Sequence, residues 1–305
     1  MTAAGSNGMR VLTSQQLAQY QARGYLAPVP ALSANEAAAY LQKVEAFEAQ
    51  QGGQWPRALS HKPHVILTWL DELIRHPRIL DAVQDIIGPD ILCWSSRFFI
   101  KDKNDGGFVS WHQDLPYWGL DFSENILTAW VALTPATREN GVMKVVPGSH
   151  RKLVPHKAGA ASNLLQRGQE IALAVDESKA VHMALAAGEM SLHHGLIWHG
   201  SVENQSDVRR VGYAIRYLPP SVKPIAGLPR DQVTLVRGED RYGHFDLLPR
   251  PARDLDPAAC NLQKQTGARA NEIRDLAVAR HHASFASATS LCEGVSNEKW
   301  NQKNV

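Results

Sequence analysis

Between residues 91 and 218 the chain is cut into short runs of β-branched, aromatic and aliphatic residues, each closed by turn formers. No other feature restricts its possible folds as strongly. The runs are 91–101, 108–111, 127–133, 143–147, 188–191, 196–201 and 211–218. Asp105-Gly106-Gly107, Glu139-Asn140-Gly141, Pro147-Gly148-Ser149 and Asn204-Gln205-Ser206-Asp207 punctuate them. Branched and aromatic side chains suit a pleated surface, whereas Gly, Asn, Asp and Pro supply the backbone angles of tight turns. Many short strands with such turns favour a β-sandwich or barrel over a doubly wound parallel sheet. The segment 152–182 interrupts the series as a long excursion with little strand character.

The first ~90 residues follow a different period. Thr13 can cap a helix running to Arg23, with Gly24 as its stop. Ser33-Ala34-Asn35-Glu36 is a capping box, and Ala37, Tyr40, Leu41, Val44 and Phe47 follow at helical spacing. Segments 66–76 and 78–87 read as two more helices, divided by Pro77 and ended by Gly88-Pro89. Residues 253–280 read as helical again, and the tail after Ala283 reads as polar and frayed. There is no internal repeat. The expected organisation is one domain over 1–305: a helical N-terminal region over 1–90, a β core of about 90–220, and an extension 221–305 without an assigned role.

Net charge is +2 and the charged fraction 20%, too even a balance to argue for nucleic acid or an anionic membrane as partner. No uncharged apolar stretch approaches the ~18 residues of a spanning helix. Residues 1–10 lack a basic region followed by an apolar run, so no signal peptide is expected. The three cysteines, Cys93, Cys260 and Cys292, form no CxxC pair, which argues against a disulfide framework or a zinc ribbon. A reduced, cytoplasmic protein with a small-molecule partner is expected, as monomer or homodimer.

The chemistry concentrates in two places. In Trp111-His112-Gln113-Asp114, residues two apart on a strand point to one side, so His112 and Asp114 can offer a nitrogen and a carboxylate oxygen to one metal. A further ligand can come from 191–201, which holds His193, His194 and His199. His199 is favoured, because it sits near a strand end with 211–218 returning beside it; His193 and His194 read as structural. Two histidines and one carboxylate form the facial set of non-haem iron oxygenases, leaving three coordination positions open, whereas structural zinc more often takes a closed tetrahedral set. Arg209 and Arg210 open the returning strand. A guanidinium there can hold a carboxylate through two parallel hydrogen bonds, or the pair can be a solvated turn.

These blocks, in this order, resemble the phytanoyl-CoA dioxygenase family. Ser96-Arg97-Phe98-Phe99-Ile100-Lys101 resembles the strand before the family's first ligands, and 111–114 its HxD block. Residues 128–133 followed by 140–150 resemble its central strands, and His199-Gly200-Ser201 with Asn204, Ser206 and Arg210 its distal block. The resemblance runs over about residues 90–220. It implies a mainly β fold with flanking helices, a double-stranded β-helix of the jelly-roll, cupin-like kind. It implies Fe(II), held by His112, Asp114 and His199, with 2-oxoglutarate and O2 as co-substrates and succinate and CO2 as products. The family arginine that pairs with the far carboxylate of 2-oxoglutarate falls eleven residues after His199, at Arg210. Ser201 would lie beside that carboxylate and Trp130 would line the pocket. Trp198 departs from the smaller apolar residue expected there.

Relatives that halogenate carry Ala or Gly where this chain has Asp114, so hydroxylation of a small metabolite is expected, with desaturation or ring closure as the alternative. A non-catalytic metal-binding jelly roll and a zinc hydrolase of unrelated fold fit less well. Phe108, Tyr117 and Trp118 are candidates for an apolar substrate wall, against plain core packing.

Overall fold

In the computed structural model the described residues are 11–121, 126–158, 163–165 and 169–301, with side chains described to 281. Residues 1–10 and the thiol of Cys292 lie outside them. The helices are α1 (Ser14–Arg23), α2 (Ala34–Gln50), α3 (Thr68–Ile74), α4 (Pro77–Ile87) and α5 (Pro257–Asn301). The strands are β1 (Tyr25–Pro30), β2 (Ile91–Lys101), β3 (Val109–His112), β4 (Leu127–Ala132), β5 (Lys144–Val145), β6 (His156–Ala158) and β7 (Gln169–Ile171). They continue with β8 (Val181–His182), β9 (Glu189–His194), β10 (His199–Ser201), β11 (Arg210–Leu218), β12 (Gln232–Arg237) and β13 (Asp246–Leu247).

Seven strands form the large sheet, in the order β1-β9-β4-β11-β2-β12-β13, and four form the small one, β3-β10-β5-β8. The non-sequential order is that of a jelly roll, in which two sheets face each other across a shared interior. Strand β11 shows how the sequence sets the two faces. Val211, Tyr213, Ile215 and Tyr217 join the apolar cluster under α2, α3 and α4, whereas Arg210, Gly212, Ala214 and Arg216 alternate with them and face inward. The tyrosine hydroxyls stay paired in that cluster: Tyr213 donates to or accepts from Ser96 Oγ at 2.6 Å, and Tyr217 donates to the Ile74 carbonyl at 2.7 Å.

Both helix caps read from the sequence are present. Thr13 and Ser33 each complete a reciprocal capping box, and Gly24 ends α1 at φ 79°, in the left-handed region. Three readings need correction. The region 1–90 is not purely helical, because 25–30 forms β1 at the edge of the large sheet. Pro28 and Pro30 hid it: proline cannot donate to a ladder and is tolerated in a sheet mainly at an edge. The excursion 152–182 carries three short strands, with β6 pairing β7 and β8 pairing β5. The sheet also extends past 220 through β12 and β13, and α5 runs on to Asn301 where a frayed tail was expected. Cys93 and Cys260 are free thiols, and among the described residues no helix is long and apolar enough to cross a membrane.

His64, before α3, is buried between β2 and β12, its Nδ1 against Ser96 Oγ and its Nε2 3.2 Å from Thr234 Oγ1. Burial, and then the charges of Lys62 and Arg75, push its pKa from 6.5 down to about 3. The folded ring is therefore neutral where the unfolded chain already takes a proton. Stability is fully present above pH 6.5 and is lost as the pH falls toward 3, by up to about 1.4 kcal/mol per pH unit. His64→Gln is expected to flatten this acid limb of the urea-unfolding free energy. An unchanged slope would remove His64 from the acid response.

Candidate active site

The three residues read as metal ligands converge between the sheets. His112 closes β3 and His199 opens β10, and the two are antiparallel register partners with ring centroids 4.0 Å apart. Each ring is oriented by its own backbone. His112 Nδ1–H donates to the Ser110 carbonyl at 2.9 Å and His199 Nδ1–H to the Ile197 carbonyl at 3.0 Å. A carbonyl can only accept, so Nδ1 carries the hydrogen and Nε2 keeps its lone pair for a metal. One atom each of His112, Asp114 and His199 lies within 4.8 Å of the others, and all three residues are buried.

Asp114 reaches this point by a route that differs from strand alternation. Strand β3 ends at His112, and Asp114 has helical angles, φ −77° and ψ −47°, at the start of a 3₁₀ turn over Leu115–Tyr117. The N–H groups of Asp114 and Leu115 donate to the Gly195 carbonyl at 3.0 and 2.9 Å, which fixes the turn against the β9–β10 connection. Gln113, fully buried, points the other way. Its amide donates to the carbonyls of Lys152 and Leu196 at 2.8 and 2.6 Å, and its side-chain oxygen accepts from Val154 N at 3.0 Å. The residue between the two ligands is thus the clamp that holds them.

Electrostatics keep the set in ligating form. Burial pushes the Asp114 carboxyl up, but the guanidinium of Arg216 outweighs it and holds the group well below the usual carboxylate range. Arg216 Nε stands 3.6 Å from Asp114 Oδ2. Burial, reinforced by His112, holds His199 well below 6.5, so it is neutral, as a ligand must be. His193 also lines this cavity, with its ring 5.1 Å from His199, and burial pushes it down to about 4. His194 turns away toward His150 and accepts from Leu196 N at 3.0 Å.

Arg210 lies at the other end of the same cavity, 2% exposed. Its guanidinium stands 5.4 Å from the Trp130 ring, and Nη1 donates to the Gly141 carbonyl. No carboxylate of the described residues forms an ion pair with it, and its Nε is buried without a partner. Burial pushes its pKa down to about 10. Ser201 also lines the cavity and accepts from Lys101 Nζ at 2.8 Å. A buried cation with unused donors, 2% exposed and facing a void beside a metal set, fits an acid anchor. Gly212 makes the space, since a Cβ there would fall 1.9 Å from Trp130 Cζ2.

Arg209, by contrast, faces outward. It makes two hydrogen bonds to the Glu48 carboxylate, at 2.8 and 2.7 Å, and pairs with Asp102 at 2.6 Å. The three substrate candidates separate. Phe108 lines an outer cleft of about 600 Å³ behind β3. Tyr117 and Trp118 line a different chamber at the Asp114 end. Sequence reading missed Arg216, gave Lys101 no role, and set His193 aside as structural although its ring lines the cavity. Arg216 could have been found by its even spacing from Arg210 on one strand. The other two carry no such signal.

The family model for phytanoyl-CoA dioxygenase (PhyH) matches residues 20–212. The chain belongs to the phytanoyl-CoA dioxygenase family. As a member it is a non-haem oxygenase that depends on iron(II) and 2-oxoglutarate. It is 26% identical over 235 residues to a probable alpha-ketoglutarate-dependent hypophosphite dioxygenase of Stutzerimonas stutzeri, a match covering 70% of this chain and 81% of that one. It is 32% identical over 147 residues to the peroxisomal phytanoyl-CoA dioxygenase of Homo sapiens, covering 44% of this chain and only 42% of that one. Among solved structures, the apo form of the non-heme monooxygenase ThoJ superposes with a TM-score of 0.77 at 37% identity, covering 87% of this chain and 99% of that one. The His-Asp-His set of this family member lies within the matched residues, 20–212, whereas β11 runs on to Leu218 and β12 and β13 lie beyond them.

Proposed function

We propose that this family member hydroxylates a C–H bond of a small organic molecule, with His112, Asp114 and His199 holding the iron and Arg210 and Ser201 holding 2-oxoglutarate against Trp130. The observation that carries the reading is a carboxylate at position 114 in a buried facial set, with an unpaired buried guanidinium at the far end of the same cavity. Two histidines and one carboxylate leave three positions of an octahedral ion for other ligands. When bound, iron(II) with 2-oxoglutarate supplies the activation of dioxygen, coupled to oxidative decarboxylation. The balance is R–H + 2-oxoglutarate + O2 → R–OH + succinate + CO2.

The chain's own residues do the positioning. The Ser110 and Ile197 carbonyls set the imidazole tautomers, and the Gln113 clamp sets the angle of Asp114. Arg210 meets the far carboxylate of the co-substrate, and Lys101 turns the Ser201 hydroxyl toward the same end. The space beside the triad is small, about 40 Å³. The test is anaerobic loading with Fe(II) and 2-oxoglutarate, followed by oxygen and measurement of succinate and of product mass. One succinate per product, with one oxygen atom gained from labelled O2, is expected. Succinate with a product that has lost two hydrogens instead would assign desaturation or ring closure.

A further inference from the structure

At the Asp114 end the interior opens into a chamber of about 530 Å³, closed on its far side by the first turns of α5. Its composition is one-sided. Among the described residues that line it, five side chains are basic, Arg57, Arg97, Arg216, Lys264 and Arg274, and none is a carboxylate. Two of the five have a carboxylate beside them outside the lining, Arg216 with Asp114 and Arg274 with Asp275, each at 3.6 Å. In the outer cleft behind β3 the carboxylates are part of the lining itself, where Lys144 pairs with Glu177 and Lys157 with Glu170.

Arg97 is the telling residue. It lies on the inward face of β2, register partner to Ala214. Its Nε is buried without a hydrogen-bond partner, and among the described residues no carboxylate forms an ion pair with it. Burial, and then the repulsion of Arg216, Arg57 and Arg274, push its pKa down to about 10. Holding like charges together in a partly closed chamber costs free energy that an anionic occupant recovers. The floor is aromatic: Trp118 stacks on Trp94 at 4.7 Å, with Arg216 5.5 Å from the Trp118 ring. Arg216 belongs to both cavities, since it also lies 3.6 Å from Asp114, so an occupant of the chamber abuts the metal set.

We propose that this chamber is the substrate site and that the substrate is an organic anion with an apolar or aromatic body, its acid group taken by Arg97 and its body laid on Trp118. The substrate role rests on the oxygenase reading above; the anion site does not. Two acid groups, carboxylate and phosphate, share the required chemistry.

Calorimetric titration of the full chain loaded with Fe(II) and 2-oxoglutarate under nitrogen tests the proposal. The probes are 2-naphthylacetate, 2-naphthyl phosphate and the neutral 2-naphthylacetamide. At least one acid is expected to bind about ten- to hundredfold tighter than the amide, the range for charge-assisted hydrogen bonds. The tighter of the two acids identifies the group. Arg97→Gln should erase the preference, whereas Arg241→Gln, on a residue 73% exposed and paired with Glu239, should keep it. If Arg97→Gln does not fold, Arg57→Gln at the exposed rim should still weaken acid binding and not amide binding. Equal affinity for acid and amide, no binding by either acid, or displacement of 2-oxoglutarate by the acids would overturn the proposal. Uptake of 2-oxoglutarate is followed separately by its metal-to-ligand absorption. Its absence with the acid preference intact would sink the metal-site reading, and the substrate role with it, while leaving the anion site standing.

Discussion

Asp114→Ala is expected to abolish hydroxylation and to weaken iron binding by hundreds- to thousands-fold. The substitution removes one of the three proposed ligands and the charge that offsets the metal's own. It also strands Arg216, whose Nε lies 3.6 Å from the lost carboxylate and whose side chain is 12% exposed. Removing one partner of a buried pair costs roughly 3–5 kcal/mol, and about 1.4 kcal/mol corresponds to a factor of ten. Iron content after anaerobic loading, together with succinate formation, reads both consequences. Chlorination is not expected to appear, because a chloride pocket needs more than an open position. Full iron occupancy with undiminished turnover in this variant would exclude Asp114 as a ligand.

The second large effect is at Arg210. Arg210→Ala should weaken 2-oxoglutarate binding by hundreds-fold or more, by the same energy scale for a buried pair, and leave iron binding nearly intact. Titration of the co-substrate into the iron-loaded variant, read by its charge-transfer absorption, measures it. Arg209→Ala is the control, and here the structure changes the expectation. A solvated turn residue would do little, but Arg209 holds the Glu48 carboxylate with two hydrogen bonds, and Glu48 is 4% exposed. Arg209→Ala should therefore lower the melting temperature while leaving co-substrate affinity unchanged. If Arg209→Ala were the variant that fails to bind 2-oxoglutarate, the anchor would be assigned to the wrong face of β11.

Much of this was legible in the chain itself, for definite reasons. Runs of β-branched and aromatic residues between turn formers located β2 at its observed bounds and β11 to within one residue. A Thr cap with a Gly stop located α1 and a capping box located α2, because the chemistry of helix ends is local. The order of the HxD and distal blocks brought His112, Asp114 and His199 into one set. What was not legible depends on distant partners. Strand β1, with two prolines, is a strand only because β9 offers it an edge. The route of Asp114 into the site depends on Gly195, far along the chain. Tyr117 and Trp118 were read as a substrate wall without the basic residues of α5 that face them, since nothing in 253–280 signals which side of a helix meets a chamber.

The inner face of β11 reads Arg210, Gly212, Ala214, Arg216: a guanidinium at each end and almost no side chain between. On the proposed assignment, one end meets the far carboxylate of the co-substrate and the other braces the metal's aspartate. A single strand thus spans both, and its outer face is pinned by the hydroxyls of Tyr213 and Tyr217. The interval between acid anchor and metal is then a fixed gauge, cut into the backbone and independent of any loop that closes over the site. Selectivity for the chain length of the keto acid becomes a property of the folded sheet itself, so a shorter or longer diacid would have to move a strand, rather than a side chain, to be accepted.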